Sequence, residues 1–593
     1  MRTQLTIKAM LCGTVFCAIT ATPAVLAQTA DSAVITLDQG ANWTETDRAN
    51  FYSQDQGSQI MPLAWFRALK QPDGQPFLAD SLSRYGYLPN PANTNGLPIG
   101  FTASGPEGLA FAGMTCSACH TRQITADGKE YRIDGGPAIV DWQSFSTDLD
   151  AAVDRVLHNE ADFQAFAATV LGSSAPQPDD VKTLRENLQL WYDRYNAWVG
   201  SLPRNAPWGP GRMDAVGMIF NRLTGLDIGP PPSLLIKGNI QKAEAPVRYP
   251  FLWNAPKQNR TQWAGFAPNG NDIFALNRNL GQVYGVYGVF EPKKMHLPGT
   301  NIPIPGLIDY LRNNSANFNG LNKLENLVKK IPSPKWPWGF TEPLRTQGEA
   351  IYKWPKERGG CVECHGFPSA GNELWETPVQ KVGTDSKQMA LLERQAHTGE
   401  LDGAIMLFDG TLKETDAAIR VLTASVLGTI IQKYLPVTGQ SSQTDLTIKF
   451  QPPPPLRVLK EVIPGAESML QKMDAGQDLG GRDLGGQSSG GKYEARVLYG
   501  IWAAAPYLHN GSVPSLAELL KPAKERVASF KVGPAYDKEN VGLAADQPKF
   551  NFTLDTTDCD KQASGNSRCG HEYGTTQLKP NEKKALLEYL KTL

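Results

Sequence analysis

Cys116-Ser117-Ala118-Cys119-His120 and Cys361-Val362-Glu363-Cys364-His365 are two copies of one five-residue pattern. In each C-x-x-C-H the thiols are spaced to add across the two vinyl groups of a haem, and the histidine becomes the iron's proximal ligand. A single copy also fits a thioredoxin-like redox pair. Two copies, in a chain with eight cysteines and an export segment, point to two covalently bound haem c groups. Zinc and structural disulfides are the alternatives that cysteine spacing leaves open. The chemistry expected is iron redox chemistry, and the open question is what the iron does.

The compartment follows from the first residues. Arg2 and Lys8 flank a short charged region, residues 9–22 are apolar and small, and Val25-Leu26-Ala27 supplies a small-residue cleavage site before Gln28. Residues 1–27 therefore read as a secretory signal peptide, too short and wrongly flanked for a lasting membrane anchor. Cys12 and Cys17 leave with it. Four of the remaining six cysteines belong to the two motifs, and Cys559 and Cys569, ten apart, are expected to pair in an oxidising periplasm. A periplasmic or secreted location with no membrane span is the expectation. With 58 Lys+Arg against 59 Asp+Glu there is no basic face for nucleic acid.

The elements that must position these groups read as mainly α with long loops and little β, in two cytochrome c-like haem domains. Gly (56) and Pro (44) are plentiful and Trp reaches 13, which suggests ordered loops wrapped around cofactors. The strongest helical stretch is 145–199, where Leu149, Ala152, Val153 and Val156, then Leu184, Leu188, Trp191, Tyr195 and Trp198, recur at helical spacing. The first motif is expected to open out of a short helix, residues 203–290 read as loop-rich, and Pro452–Pro455 and the Gly-rich run 476–491 read as loops. Gln347 to Tyr352 leads helically into Cys361, and the chain closes in a helix from Pro580. Residues 28–335 form the N-terminal haem domain and 336–593 the C-terminal one, with the boundary in the Pro/Trp-rich stretch 332–343.

The seven histidines decide the class of chemistry, because an iron with two protein ligands transfers electrons and one left open binds O₂ or peroxide. His120 and His365 are proximal by motif. His509, in Ala505-Pro506-Tyr507-Leu508-His509-Asn510-Gly511-Ser512, is the candidate for a further ligand, since Pro and Gly-Ser fix the loop around it. A hydrogen-bonded loop histidine is the other reading of that residue. His158, His296, His397 and His571 have no such context and default to solvent or structure. Met114 lies too close to the first motif to reach the far side of its haem, while Met406 and Met473 stay open as ligands or core fillers.

The stretch from Leu498 to Leu516, with its Tyr-Leu-His-Asn-Gly-Ser loop, together with the two C-x-x-C-H motifs, resembles the di-haem cytochrome c peroxidase superfamily. Asp55-Gln56-Gly57-Ser58, Pro62-Leu63-Ala64-Trp65-Phe66, Trp208-Gly209-Pro210-Gly211-Arg212, Gln262-Trp263 and Arg278-Asn279-Leu280-Gly281 are similar to one branch of it. That branch holds rubber oxygenases and the periplasmic oleate dioxygenase and hydroperoxide diol synthase. The resemblance implies a C-terminal electron-transfer haem held by His365 and His509, and an N-terminal catalytic haem held by His120 with its other face open. It also implies a distal phenylalanine, here Phe266, and a tryptophan on the path between the haems, here Trp253 or Trp263. Ordinary core aromatics are the alternative for all three. Similar proteins carry a calcium ion between the haems; the loop 474–491 is too loose a pattern to assign one.

The chain departs from ordinary bacterial di-haem peroxidases. It lacks their Leu-Phe-Phe-Asp-type opening and an evident distal Gln/Glu pair, although O–O cleavage needs a positioned acid or base. The function that the resemblance implies is an oxygenase. It takes O₂ and an unsaturated apolar chain: a long-chain fatty acid converted to a hydroperoxide or onward to a diol, or polyisoprene. A length of 593 residues favours the fatty-acid group. The other class is a peroxidase or electron carrier. In either, a small periplasmic electron donor is an expected partner.

Overall fold

The helical periodicity is realised as three consecutive helices, Trp142–His158, Glu160–Leu171 and Pro178–Val199. Asp141 and Asn159 cap the first two by accepting from the main-chain N–H three residues on, and Pro178 sits in the first turn of the third, where no intrahelical donor is lost. Leu149, Val153, Leu188 and Trp198 turn into one core with Phe66, Phe101 and Phe145. This core backs the first C-x-x-C-H motif.

The described residues are 34–90, 92, 93, 95–106, 108–367, 374–406, 410–434 and 491–593 of a computed structural model. The expected signal peptide, residues 1–27, together with residues 452–455, Met473 and nearly all of the 474–491 loop, falls outside them.

The chain is mixed rather than mainly α. Among the described residues there are nine sheets, each of two or three strands, and the longest strand, Pro303–Asp309, has seven residues. Strands of two to four residues carry too little alternation to be read from sequence, which is why strand content was underestimated. The 203–290 stretch likewise contains two helices, Ala215–Leu226 and Asp272–Gly285.

The first motif does not leave a helix. Phe111–Met114 pairs antiparallel with Phe101–Ser104, a single 3₁₀ turn carries Cys116–Ala118, and Thr121–Ala126 begins immediately after His120. Gly100, at φ 79°, makes this possible: a Cβ there would lie 2.0 Å from the Ala118 nitrogen. Behind the following hairpin, Asp134 is fully buried and accepts from Trp43 Nε1 (2.7 Å), Arg48 Nε (2.7 Å) and the Tyr52 hydroxyl (2.5 Å). A buried carboxylate is tolerated because each oxygen has a donor.

The second motif follows the helix Glu342–Tyr352, as expected, and that helix packs on the terminal helix Pro580–Lys591. One of the two large core clusters combines residues from both sides of position 335: Trp43, Ile133 and Trp253 with Tyr352, Trp502 and Leu586. Gly348 sets the helix crossing. A Cβ there would stand 2.0 Å from the Ala585 carbonyl oxygen. Gly348→Ala is therefore expected to force the two helices apart and cost about 1–3 kcal/mol. The check is the urea midpoint of the haem-loaded protein, and an unchanged midpoint would show that the crossing has slack.

Candidate functional site

His120 Nδ1 lies 2.8 Å from the Pro250 carbonyl oxygen, and His365 Nδ1 lies 2.6 Å from the Arg496 carbonyl oxygen. A carbonyl only accepts, so each Nδ1 carries the proton and each Nε2 is left with a lone pair. That is the tautomer and orientation a metal-bound imidazole needs. Burial lowers both, His120 to about 4, so neither ring is a cation at neutral pH. Burial also pushes the motif thiols up, Cys116 to about 11, Cys119 and Cys361 to about 12. Reactive redox cysteines and zinc thiolates have the opposite environment.

The ring facing His365 is His571. Their centres are 6.2 Å apart and their planes differ by 37°. Two imidazoles on opposite sides of one metal, with bonds of about 2 Å, have centres about 6 Å apart. His571 is held there by several restraints. Cys569, two residues earlier, is bonded to Cys559, as expected from the sequence. The buried Arg526 donates through Nη1 to the carbonyls of Arg568 (2.6 Å) and Gly570 (2.9 Å), and His571 N donates to the Val382 carbonyl (2.9 Å). His571 sits at φ 60°, and its buried Nδ1 has no hydrogen-bond partner. The available sequence signal was its position next to a disulfide cysteine and a glycine.

His509 has a different environment. Its Nε2 is 2.9 Å from Asp385 Oδ2 and Tyr493 stacks on its ring at 3.5 Å; Asn510 Nδ2 and the Tyr493 hydroxyl also donate to Asp385. Burial would raise the Asp385 carboxyl, but the facing His509 outweighs it and holds the group below its ordinary value. The fixed loop around His509 thus serves a buried hydrogen-bonded cluster, and the geometry favours His571 over His509 as the partner of His365.

Between the two motif histidines lies an excess of buried positive charge. Arg122, Arg248 and Arg496 are all within reach of one another's fields, and burial lowers Arg122 to about 10 and Arg248 to about 9. Glu494, 3.1 Å from Arg496, is the carboxylate paired there. Arg122 Nε and Nη2 and Arg248 Nη1 are buried without an acceptor among the described residues. Buried guanidinium groups require anionic partners. The carboxylates that every haem c carries would meet this need, so the residues present fit such a cofactor at both motifs.

The aromatics named from the resemblance separate into two places. Trp253 is fully buried, stacks on Phe251 (4.9 Å, 8°) and donates through Nε1 to the Tyr499 carbonyl (2.7 Å). Trp263 lies under the Arg248 and Arg496 guanidinium groups at 4.5 and 5.6 Å. Both therefore sit between the motifs. Phe266 is elsewhere, on an apolar groove formed by the helices Ala215–Leu226, Asp272–Gly285 and Ala418–Tyr434, with Phe220, Leu422 and Val426. Arg278 closes the polar end of this groove. It bonds Glu325 at 2.5 Å and Asn269, and Arg278 and Glu325 both act on the buried Cys116 thiol. The Arg278–Glu325 pair at this groove is thus within electrostatic reach of the first motif.

Residues 491–531 match a family model described as RoxA-like, cytochrome c-like. This segment contains Arg496, the His509 loop and Arg526. The chain is 28% identical to the uncharacterized protein y4iJ of Sinorhizobium fredii (strain NBRC 101917 / NGR234), over 93% of this chain and 92% of that one. It is 24% identical to y4iM of the same strain over about half of each, 54% and 56%. The match supports a cytochrome c-like domain with covalently bound haem c, and with it an oxidoreductase of haem oxygenase or peroxidase type.

His571→Ala is expected to turn one low-spin haem high-spin in the absorption and EPR spectra of the purified protein. His509→Ala should leave the spin state alone while lowering stability, because it strands Asp385. The reverse pattern would return the ligand role to His509.

Proposed function

We propose that this protein is an exported di-haem c oxygenase that adds O₂ at or beside a double bond of an unsaturated long-chain fatty acid. The observation carrying this reading is the apolar groove lined by Phe266 and Arg278, whose Arg278–Glu325 pair lies within electrostatic reach of Cys116. Haem iron, when bound at His120, supplies O₂ binding and one-electron chemistry. The protein's part is to keep His120 neutral by burial with its Nδ1 proton fixed on the Pro250 carbonyl, to exclude water with Phe266 and Phe220, and to align an acyl chain along the groove. Export agrees with the Cys559–Cys569 disulfide, and among the described residues no helix is long and apolar enough to cross a membrane. An external one-electron donor would serve the His365 site.

A peroxidase reading draws on Glu325, a buried carboxylate beside the first motif. Its pairing with Arg278 at 2.5 Å and Asn279 at 3.0 Å argues against it as a proton shuttle, since moving the proton would break both bonds. Polyisoprene remains a substrate to be tried second.

The direct experiment is anaerobic incubation with oleate, followed by O₂ addition, with an oxygen electrode and mass spectrometry of the lipid. Stoichiometric uptake and a product heavier by one O₂ are expected. Gly281 faces Leu422 and Val426 across the groove, and a Cβ there would meet them at 3.6 and 3.7 Å, ordinary contact distances. Gly281→Ala should therefore narrow the groove without dismantling the fold, raising KM for oleate with haem content unchanged. Uptake of O₂ with unchanged KM in this variant would move the substrate out of the groove.

A further inference from the structure

The two carbonyls that orient His120 and His365 are themselves connected. Pro250, whose carbonyl takes the His120 proton, is bonded in the chain to Phe251. The Phe251 carbonyl accepts from Arg496 Nη1 at 3.2 Å, and the Arg496 carbonyl takes the His365 proton at 2.6 Å. One guanidinium thus closes a continuous path of covalent bonds and three hydrogen bonds from one motif imidazole to the other. Arg496 is fixed in this position from three sides. Glu494 holds its Nε at 3.1 Å, and the Phe251 and Trp263 rings lie 5.1 and 5.6 Å from it.

We propose that the Arg496–Phe251 hydrogen bond is the electron-conducting link between the two haem sites, with Arg496 as its positioning residue. The inference rests on the di-haem reading above. One electron, supplied by a soluble one-electron reductant, passes from the His365 site to the His120 site. No bond is made or broken, and each Nδ1 proton stays on its ring. Electronic coupling decays less along bonds and short hydrogen bonds than across van der Waals gaps. Neither Trp253 nor Trp263 bonds to a motif histidine; their indole protons go to the carbonyls of Tyr499 and Arg248. The buried cation also stabilises negative charge in transit, in surroundings where its field is weakly screened.

Arg496→Lys tests this, because it keeps the charge facing Glu494 and the main-chain carbonyl facing His365 but gives up the guanidinium fork. Arg496→Gln is the second variant. The holoprotein is prepared half-reduced under CO, the CO is released by a laser flash, and electron redistribution between the haems is followed optically. Both variants should retain two haems per chain and the parental low-spin spectrum, with transfer slowed at least tenfold. Trp253→Phe and Trp263→Phe should stay within threefold of the parent. A transfer rate within threefold of the parent in either loaded arginine variant overturns the link, as does slowing that appears only with an altered spectrum. One haem per parental chain would instead overturn the di-haem reading itself.

Discussion

A neutral imidazole can bind a metal through one nitrogen only if its proton is held on the other, and in this chain main-chain carbonyls do the holding. Pro250 fixes His120 and Arg496 fixes His365, from segments remote in sequence from either motif. The local pattern C-x-x-C-H supplies the ring; it cannot supply the acceptor. The turn at Gly100 and the helix crossing at Gly348 bring neighbouring segments close around the two motifs.

The second organising feature is charge. Arg122, Arg248 and Arg496 are buried around the same region with Glu494 as partner, and several of their nitrogens have no acceptor among the described residues. Desolvating guanidinium groups without anions is costly, so such a cluster is stable only when something else brings carboxylates. The many short strands and long loops fit the same picture. A chain that packs around large prosthetic groups has less continuous protein core to organise, and its backbone is satisfied by small two- and three-stranded sheets instead of one large one.

The two motif histidines have different surroundings. Around His365 the rings are locked: His571 faces it, tied down by the disulfide and by Arg526. Around the first motif the neighbouring feature is an apolar groove bounded by three helices, with Arg278 and Glu325 neutralising one another at its inner end. A rigid, doubly faced site suits electron transfer with little reorganisation, while an apolar approach suits a lipid chain.

Much of this was legible in the sequence, because it depends on neighbours along the chain. The two thiol–histidine motifs, the Cys559–Cys569 pairing, the helices within 142–199 and the terminal helix from Pro580 all rest on short-range spacing or periodicity. What the sequence misassigned depends on long-range pairing. Short strands carry no readable period, so the β content was missed. His509 drew attention through its rigid loop, yet only the tertiary structure reveals that Asp385 and Tyr493, over 100 and 16 residues away, claim its ring. His571 looked featureless until folding brought it opposite His365. The carbonyl acceptors, the buried arginines and the groove beside Phe266 likewise had no local signature. The sequence by itself determined which atoms can bond to a cofactor. The tertiary structure decided which protons, charges and surfaces those atoms face, because these are set by segments hundreds of residues apart meeting in a buried, weakly screened interior.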